Sequence, residues 1–303
     1  MANIQNDGAG VLSAPQNKEK SSGFARWIKK WNGHPFSALT ELLVWLSGIA
    51  MMLIMLFLVG FILVRGIGHL SPELFSFTYN SENASLMPAL VNTLIITALS
   101  LLIAIPFGVF TAIYLVEYAK KGSRLVKLIR ITAETLSGIP SIIYGLFGLL
   151  FFCTALKWSY CLLAGALTLV IMILPLIIRT SEEALLSVPD AYREASFGLG
   201  AGKLRTIFHV VLPTAIPGIL SGVILATGRI VGETAALIYT AGTVAQIPGN
   251  LLGSGRTLAV HMYSLASEGL YMNQAYATAV VLLVIVLLIN WISVRIAAKI
   301  AKH

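Results

Sequence analysis

The chain has 303 residues, of which 57% are hydrophobic and only 11% charged, against about 25% charged in an ordinary soluble domain. Its mean hydropathy of +0.85 excludes a soluble globular enzyme, a disordered regulator and a fibrous protein. What remains is an all-α polytopic membrane protein. A net charge of +8, with 21 Lys and Arg against 13 Asp and Glu, would in a soluble chain point to nucleic acid; here the placement of the charges gives another cause.

Residues 1–23 mix Asn, Gln, Gly, Ser, Lys and Pro, a composition that cannot bury a core. Phe24 to Trp31 is short, aromatic and basic, and reads either as an interfacial helix or as the basic flank of the first span. Apolar runs then follow at Leu42 to Val64, Leu90 to Val116, Ser137 to Leu156, Cys161 to Ile178, Gly218 to Thr240 and Ala275 to Val294. Each is long enough to cross a bilayer as a helix, which needs roughly 17–25 residues, so six spans are expected. The first begins too deep in the chain and runs too long for a cleaved signal peptide. Residues 1–41 are thus read as an N-terminal tail and 42–303 as a six-span domain. When the loops are assigned alternately to two sides, 17 Lys and Arg fall on one side and three on the other. By the positive-inside rule both termini are cytoplasmic. The basic charge is then a matter of topology, and no nucleic-acid partner is required. Two cysteines, Cys153 and Cys161, are too few for a disulfide scaffold and read as core packing. Asn83-Ala84-Ser85 matches a glycosylation sequon, a three-residue pattern of little weight.

The cytoplasmic loop 179–217 carries the most pattern. Ser187-Val188-Pro189-Asp190 predicts a helix start, with Ser187 as cap and Asp190 as the capping-box acid. The helix runs through Glu194, and Gly198, Gly200 and Gly202 break it. A second short helix is expected from Lys203 to Val211, ended by Pro213. The stretch Gly198-Leu-Gly-Ala-Gly-Lys203 fails as a phosphate-binding loop, because Phe197 and Leu204 stand where Gly and Ser or Thr are needed. This chain therefore does not bind ATP through such a loop. Glu194-Ala195-Ser196-x-x-x-Gly200, nine residues and Val210-Val211-Leu212-Pro213 resemble the EAA loop of ABC importer permeases. Ser196 and Val210 depart mildly from that pattern. The resemblance implies a type I importer permease fold and a coupling helix that docks on an ATPase subunit through Glu194, Ala195 and Gly200. Gly200 permits a tight bend, and the small side chains permit close approach.

In the fifth span Arg229 and Glu233 are four residues apart and are expected on one helix face. At 100° per residue, Gly218, Gly222, Arg229, Glu233 and Ala236 fall within an arc of about 60°. Small residues allow close helix contact, and intramembrane charge avoids lipid, so this face should look into the protein or a water-filled pathway. A central Arg costs about 2.5–3.5 kcal/mol to insert, and Glu233 is the nearest counter-charge. The pair reads either as a structural ion pair or as part of an anion pathway.

Gly228-Arg-Ile-Val-Gly-Glu-Thr-Ala235 resembles the G-R-x-x-G-E-T-A stretch of phosphate importer permeases. Ser137-Gly-Ile-Pro-Ser-Ile-Ile-Tyr-Gly-Leu-Phe-Gly148 is similar to their third span. Asn92-Thr93-Leu94, Pro106, Gly108 and Ala112 to Tyr118 are similar to their second. The resemblance covers about residues 85–295 and is closer to the A-type subunit. Ala236 departs from the Pro that often follows G-E-T-A. The resemblance implies a non-catalytic permease subunit of a phosphate ABC importer in the cell inner membrane. Its implied partners are a homologous permease chain, two ATPase subunits that bind the ATP, and an extracytoplasmic phosphate-binding protein, with membrane lipid around the spans. No metal or other cofactor is assigned to this chain. The same machine for sulfate, molybdate or phosphonate, a secondary transporter or channel, and an added signalling role remain as alternatives.

Overall fold

The computed structural model describes residues 35–120 and 122–300; the segments 1–23 and Phe24 to Trp31 discussed above lie outside the described residues. The chain forms two compact units, residues 1–59 and 60–303. In the first, the described residues are the beginning of helix α1 (Pro35–Gly66).

Among the described residues every regular element is helical, as expected where no water is present to satisfy a free backbone group. Helix α1 starts before the predicted Leu42 and carries no charge between Glu41 and Arg65. Two 3₁₀ turns lead to α2 (Met87–Ile113), which a π-turn extends through Tyr114–Tyr118. The third predicted span is corrected. The chain forms α3 (Arg124–Ser137), breaks, and resumes as α4 (Ser141–Gly148) with a π-turn over Leu149–Ala155; the two parts are bent by 102°. The cause is local: Pro140 disfavours a helical Ile139 and cannot donate to the preceding turn. The Tyr144 hydroxyl braces the break by donating to the Leu136 carbonyl at 2.6 Å. Among the described residues five helices are thus long and apolar enough to span a membrane, and six spans result when the bent pair is taken as one.

Helix α5 (Leu162–Leu186) is the centre of the second unit. Its Leu169, Ile173 and Ile177 form one apolar core with Ile96 of α2 and with Ile230 and Leu237 further on. Ser100 donates to the Ala166 carbonyl at 3.1 Å, and a Cβ on Gly108 would lie 3.0 Å from the Cβ of Ile177, so α2 and α5 lie in close contact along their length. Cys153 and Cys161 are both free and buried, in agreement with core packing.

After α5 come α6 (Asp190–Gly198), α7 (Lys203–Thr206), a π-turn at Ile207–Val211, and α8 (Leu212–Val231). The predicted end at Pro213 is corrected: residues Lys203–Val231 run as one helical stretch of 29 residues. Pro213 sits in the first turn after the π-turn, where its missing N–H costs least. Helix α9 (Ala235–Ile238), the loop to Thr257, α10 (Leu258–Glu268) and α11 (Met272–Ile300) complete the unit.

The segment between α9 and α10 is tied to α2 by polar contacts. Asn92 Nδ2 donates to the carbonyls of Gln246 and Arg256 at 2.8 and 3.1 Å, and the Leu258 N–H donates to Thr93 Oγ1 at 2.8 Å. Asn83, the sequon residue, is occupied in a turn: its Nδ2 donates to the Thr78 carbonyl at 2.8 Å. The buried Arg256 guanidinium lies 4.8 Å from the centre of the Tyr79 ring. His261 is fully buried nearby, and burial followed by the Arg256 charge pushes its pKa down from 6.5 to about 3. Below its ordinary pKa the unfolded chain takes up a proton that the fold refuses. The stabilisation is therefore complete above about pH 6.5 and is lost progressively as the pH falls toward the folded value. Thermal unfolding of the purified protein in detergent should show a midpoint that declines with acidification through this window. His261→Gln should flatten that decline; an unchanged pH profile would remove His261 as its cause.

Candidate functional site

Helix α8 ends at Val231, with Gly232 as its cap, so Arg229 and Glu233 do not share a helix face. Arg229 is half-buried, while Glu233 is buried beyond the helix end. No ion pair joins them. Instead Glu233 Oε1 accepts from the Ala236 N–H at 3.0 Å, holding the carboxylate over the first turn of α9. The physical reason is the Gly232-Glu233-Thr234 sequence: Gly ends α8, and Glu233 then acts as a side-chain acceptor for the next helix start. Ala236, the departure from Pro noted above, supplies that N–H; a proline there has none. Of the two surroundings expected for the small-residue stripe, the structure gives the protein interior. A Cβ on Gly218 would lie 2.6 Å from the Cβ of Ala184, and Gly222 abuts Thr180 in the same way. The stripe is thus the seam between α8 and α5 rather than a pathway wall, while a Cβ on Gly228 would meet nothing.

Two of the motif stretches meet here. A Cβ on Gly145 of α4 would lie 2.8 Å from the Ala236 Cα, so only a glycine lets α4 and α9 approach. Beside that contact is a cleft of about 490 Å³ lined by Ile142, Thr234, Ile238, Tyr239, Met262 and Tyr263 among others. It offers hydroxyl donors from Thr234, Tyr239 and Tyr263 on an otherwise apolar wall. Among the described residues no cluster of His, Cys, Asp and Glu could hold a metal ion.

In the loop after α5 the predicted bend is present. Gly200 has φ +80°, a conformation that favours glycine. The Gly200 N–H donates to the Phe197 carbonyl at 2.9 Å and the Ala201 N–H to that of Ser196 at 3.1 Å, a Schellman closure of α6. Ser187 does not cap α6; its hydroxyl donates to the Ala184 carbonyl at 2.8 Å, and α6 begins at Asp190 after Pro189. Glu194, Ala195 and Gly200 are exposed, together with Tyr192, Phe197, Leu204 and Leu199, the last 90% exposed. The loop thus leaves several large apolar side chains open beside its charged ones.

Residues 104–302 match the family model described as "Binding-protein-dependent transport system inner membrane component". The chain belongs to this binding-protein-dependent transport family. Among curated relatives, "Probable ABC transporter permease protein YqgI" of Bacillus subtilis is 35% identical over 278 residues, covering 84% of this chain and 93% of that protein. "Phosphate transport system permease protein PstA" of Haemophilus influenzae is 34% identical over 233 residues, covering 76% and 82%. The fold resembles that of a solved bacterial alginate ABC transporter in complex with a pentasaccharide-bound periplasmic protein, at TM-score 0.63 and 18% identity over 90% of this chain and 98% of that one.

For this member of the transport family the sequence missed two long-range pairs. Arg193 Nη2 meets Glu117 Oε1 at 2.8 Å with both side chains largely buried, and Arg130 Nε meets Glu182 Oε1 at 2.7 Å. The partners lie 76 and 52 residues apart, beyond any helix-periodic signal. Because Glu233 is held by the Ala236 N–H and not by Arg229, Arg229→Gln should lower uptake of the transported substrate while leaving the fold intact; unchanged uptake would reduce Arg229 to a packing role. Ala236→Pro should fold, since it falls in the first turn of α9, and should raise the apparent KM several-fold by freeing the carboxylate; an unchanged KM would show that the N–H contact has no part in tuning.

Proposed function

We propose that the chain is a permease subunit of an ATP-driven importer of inorganic phosphate, forming half of its translocation pathway. The observation that carries the substrate class is the similarity to a phosphate permease over 82% of that protein's length. It is supported by the Gly228 to Ala235 and Ser137 to Gly148 stretches, which the fold packs together through Gly145 and Ala236. Arg229 draws the anion toward the cleft and Glu233 tempers its affinity, so that the anion can leave. The cleft has its other wall on a homologous permease chain.

The α6 knob docks on an ATPase subunit through Glu194, Ala195 and Gly200, with Leu199 and Phe197 as its apolar contacts. Two such subunits bind the ATP, and this chain performs no covalent chemistry. A phosphate-binding protein delivers its cargo at the outer loops. The excess of Lys and Arg in segments 1–41, 117–136, 179–217 and 295–303 supports cytoplasmic termini in the inner membrane. ATP-driven closure of the ATPase dimer moves the spans between inward and outward access.

Uptake of radiolabelled phosphate in cells lacking other phosphate carriers tests the reading, with sulfate, molybdate and phosphonate as competitors. Uptake that disappears on deletion, returns with the gene and yields only to phosphate-like anions is the expected result; competition by sulfate or molybdate would reassign the substrate. Glu194→Lys should lower uptake at least tenfold and reduce recovery of the ATPase subunit with the purified permease. Normal uptake in this variant would remove Glu194 from the coupling surface.

A further inference from the structure

Helix α2 is held by polar contacts at both ends and by close packing between them. At its cytoplasmic end, Glu117 in the π-turn receives Arg193 through Nε and Nη2 at 3.0 and 2.8 Å. The same guanidinium donates to the carbonyls of Val188 and Leu185 at 2.8 and 3.0 Å. One side chain therefore fastens the knob to α2 and to the end of α5. A second tie lies beside it, with Lys203 Nζ 4.8 Å from the centre of the Tyr118 ring. Arg193 immediately precedes Glu194, and its side chain is only 13% exposed, that of Glu117 9%. A guanidinium fork so enclosed holds its carboxylate in a fixed geometry.

At the other end, Asn92 lies 25 residues earlier on the same helix, roughly 37 Å away at 1.5 Å per residue. Its amide bridges two separate points of the outer loop, Gln246 and Arg256, and Thr93 receives the first N–H of α10. Gly255 lets the loop backbone approach, since a Cβ there would lie 2.6 Å from Asn92 Nδ2. Helix α10 carries Met262 and Tyr263 into the cleft wall.

We propose that α2 is a strut connecting the two faces of the protein, with Glu117 and Asn92 as its positioning residues. Displacement of the coupling knob is passed through Arg193–Glu117 to α2, and through Asn92 and Thr93 to the outer loop and the α10 side of the cleft. The same ties pass docking of a binding protein at the outer loop inward to the ATPase surface. The proposal rests on the importer reading above. A link of this kind is established by energetic coupling rather than by contact alone.

The test uses the complete complex, with ATPase subunits, reconstituted in lipid. ATP hydrolysis is measured without and with phosphate-loaded binding protein. Glu117→Gln and Asn92→Ala should each cut the stimulation by binding protein at least threefold and leave hydrolysis without it within twofold of wild type. Because the two residues act in series, the double variant should be no worse than the more severe single. Glu117→Asp, which keeps the charge, should recover part of the stimulation. Full stimulation in either single variant, or losses that multiply in the double, overturns the strut. If Glu117→Gln fails to assemble, Arg193→Lys takes its place, since a lysine cannot span Glu117, Leu185 and Val188 at once, and the same criteria decide. The substrate reading is judged separately on wild type: stimulation only by binding protein loaded with another oxyanion overturns phosphate and leaves the strut to the variants.

Discussion

Inside the hydrocarbon layer no water satisfies a polar group, so each must find its partner within the protein. The hydroxyls in the spans largely do so on their own helix. Thr93, Thr111, Thr168, Thr180, Thr227, Thr240 and Thr278 each donate to the carbonyl four residues back. Such bonds leave little to bridge between helices, and the apolar surfaces and glycine seams carry the packing. The few polar contacts that cross from one element to another are therefore informative. Ser100 to Ala166 sets α2 against α5, Asn92 and Thr93 hold the loop between α9 and α10, and Arg193 holds α6.

The same constraint explains where the helices break. An interrupted helix exposes backbone donors and acceptors, and these are tolerated only where protein surrounds them. The break before Pro140 is closed by Tyr144, and that after Val231 by Glu233. The two breaks lead into α4 and α9, which meet through Gly145 and Ala236. Discontinuity, close approach and a buried carboxylate thus coincide in one place.

The sequence made the spans and the knob legible because both are local. Runs of about 20 apolar residues, and a Glu-Ala-Ser helix closed at Gly200, need no tertiary information. Interruptions were harder. Gly218 to Thr240 reads as one apolar run, yet Gly232 ends the helix, and no periodicity distinguishes a glycine that caps from one that packs. Pro213 reads as a stop, but a π-turn just before it absorbs the missing N–H. The Gly218 and Gly222 stripe was visible as a close-contact surface, while its partner, α5, was not. Glu117–Arg193 and Asn92–Arg256 join residues far apart in the chain, and only the fold brings them together.

The separation of Arg229 from Glu233 changes what the site can do. Two charges at i and i+4 of one helix keep a fixed distance, whatever that helix does as a body. Here the arginine belongs to α8 and the glutamate is held by the first turn of α9. When α8 shifts against α9, the distance between cation and carboxylate shifts with it. At short range a change of a few ångströms in a low-dielectric setting alters such an interaction strongly. On the proposed pathway, two charges carried by separate backbone elements would change their spacing as those elements move, which a pair locked on one helix cannot do.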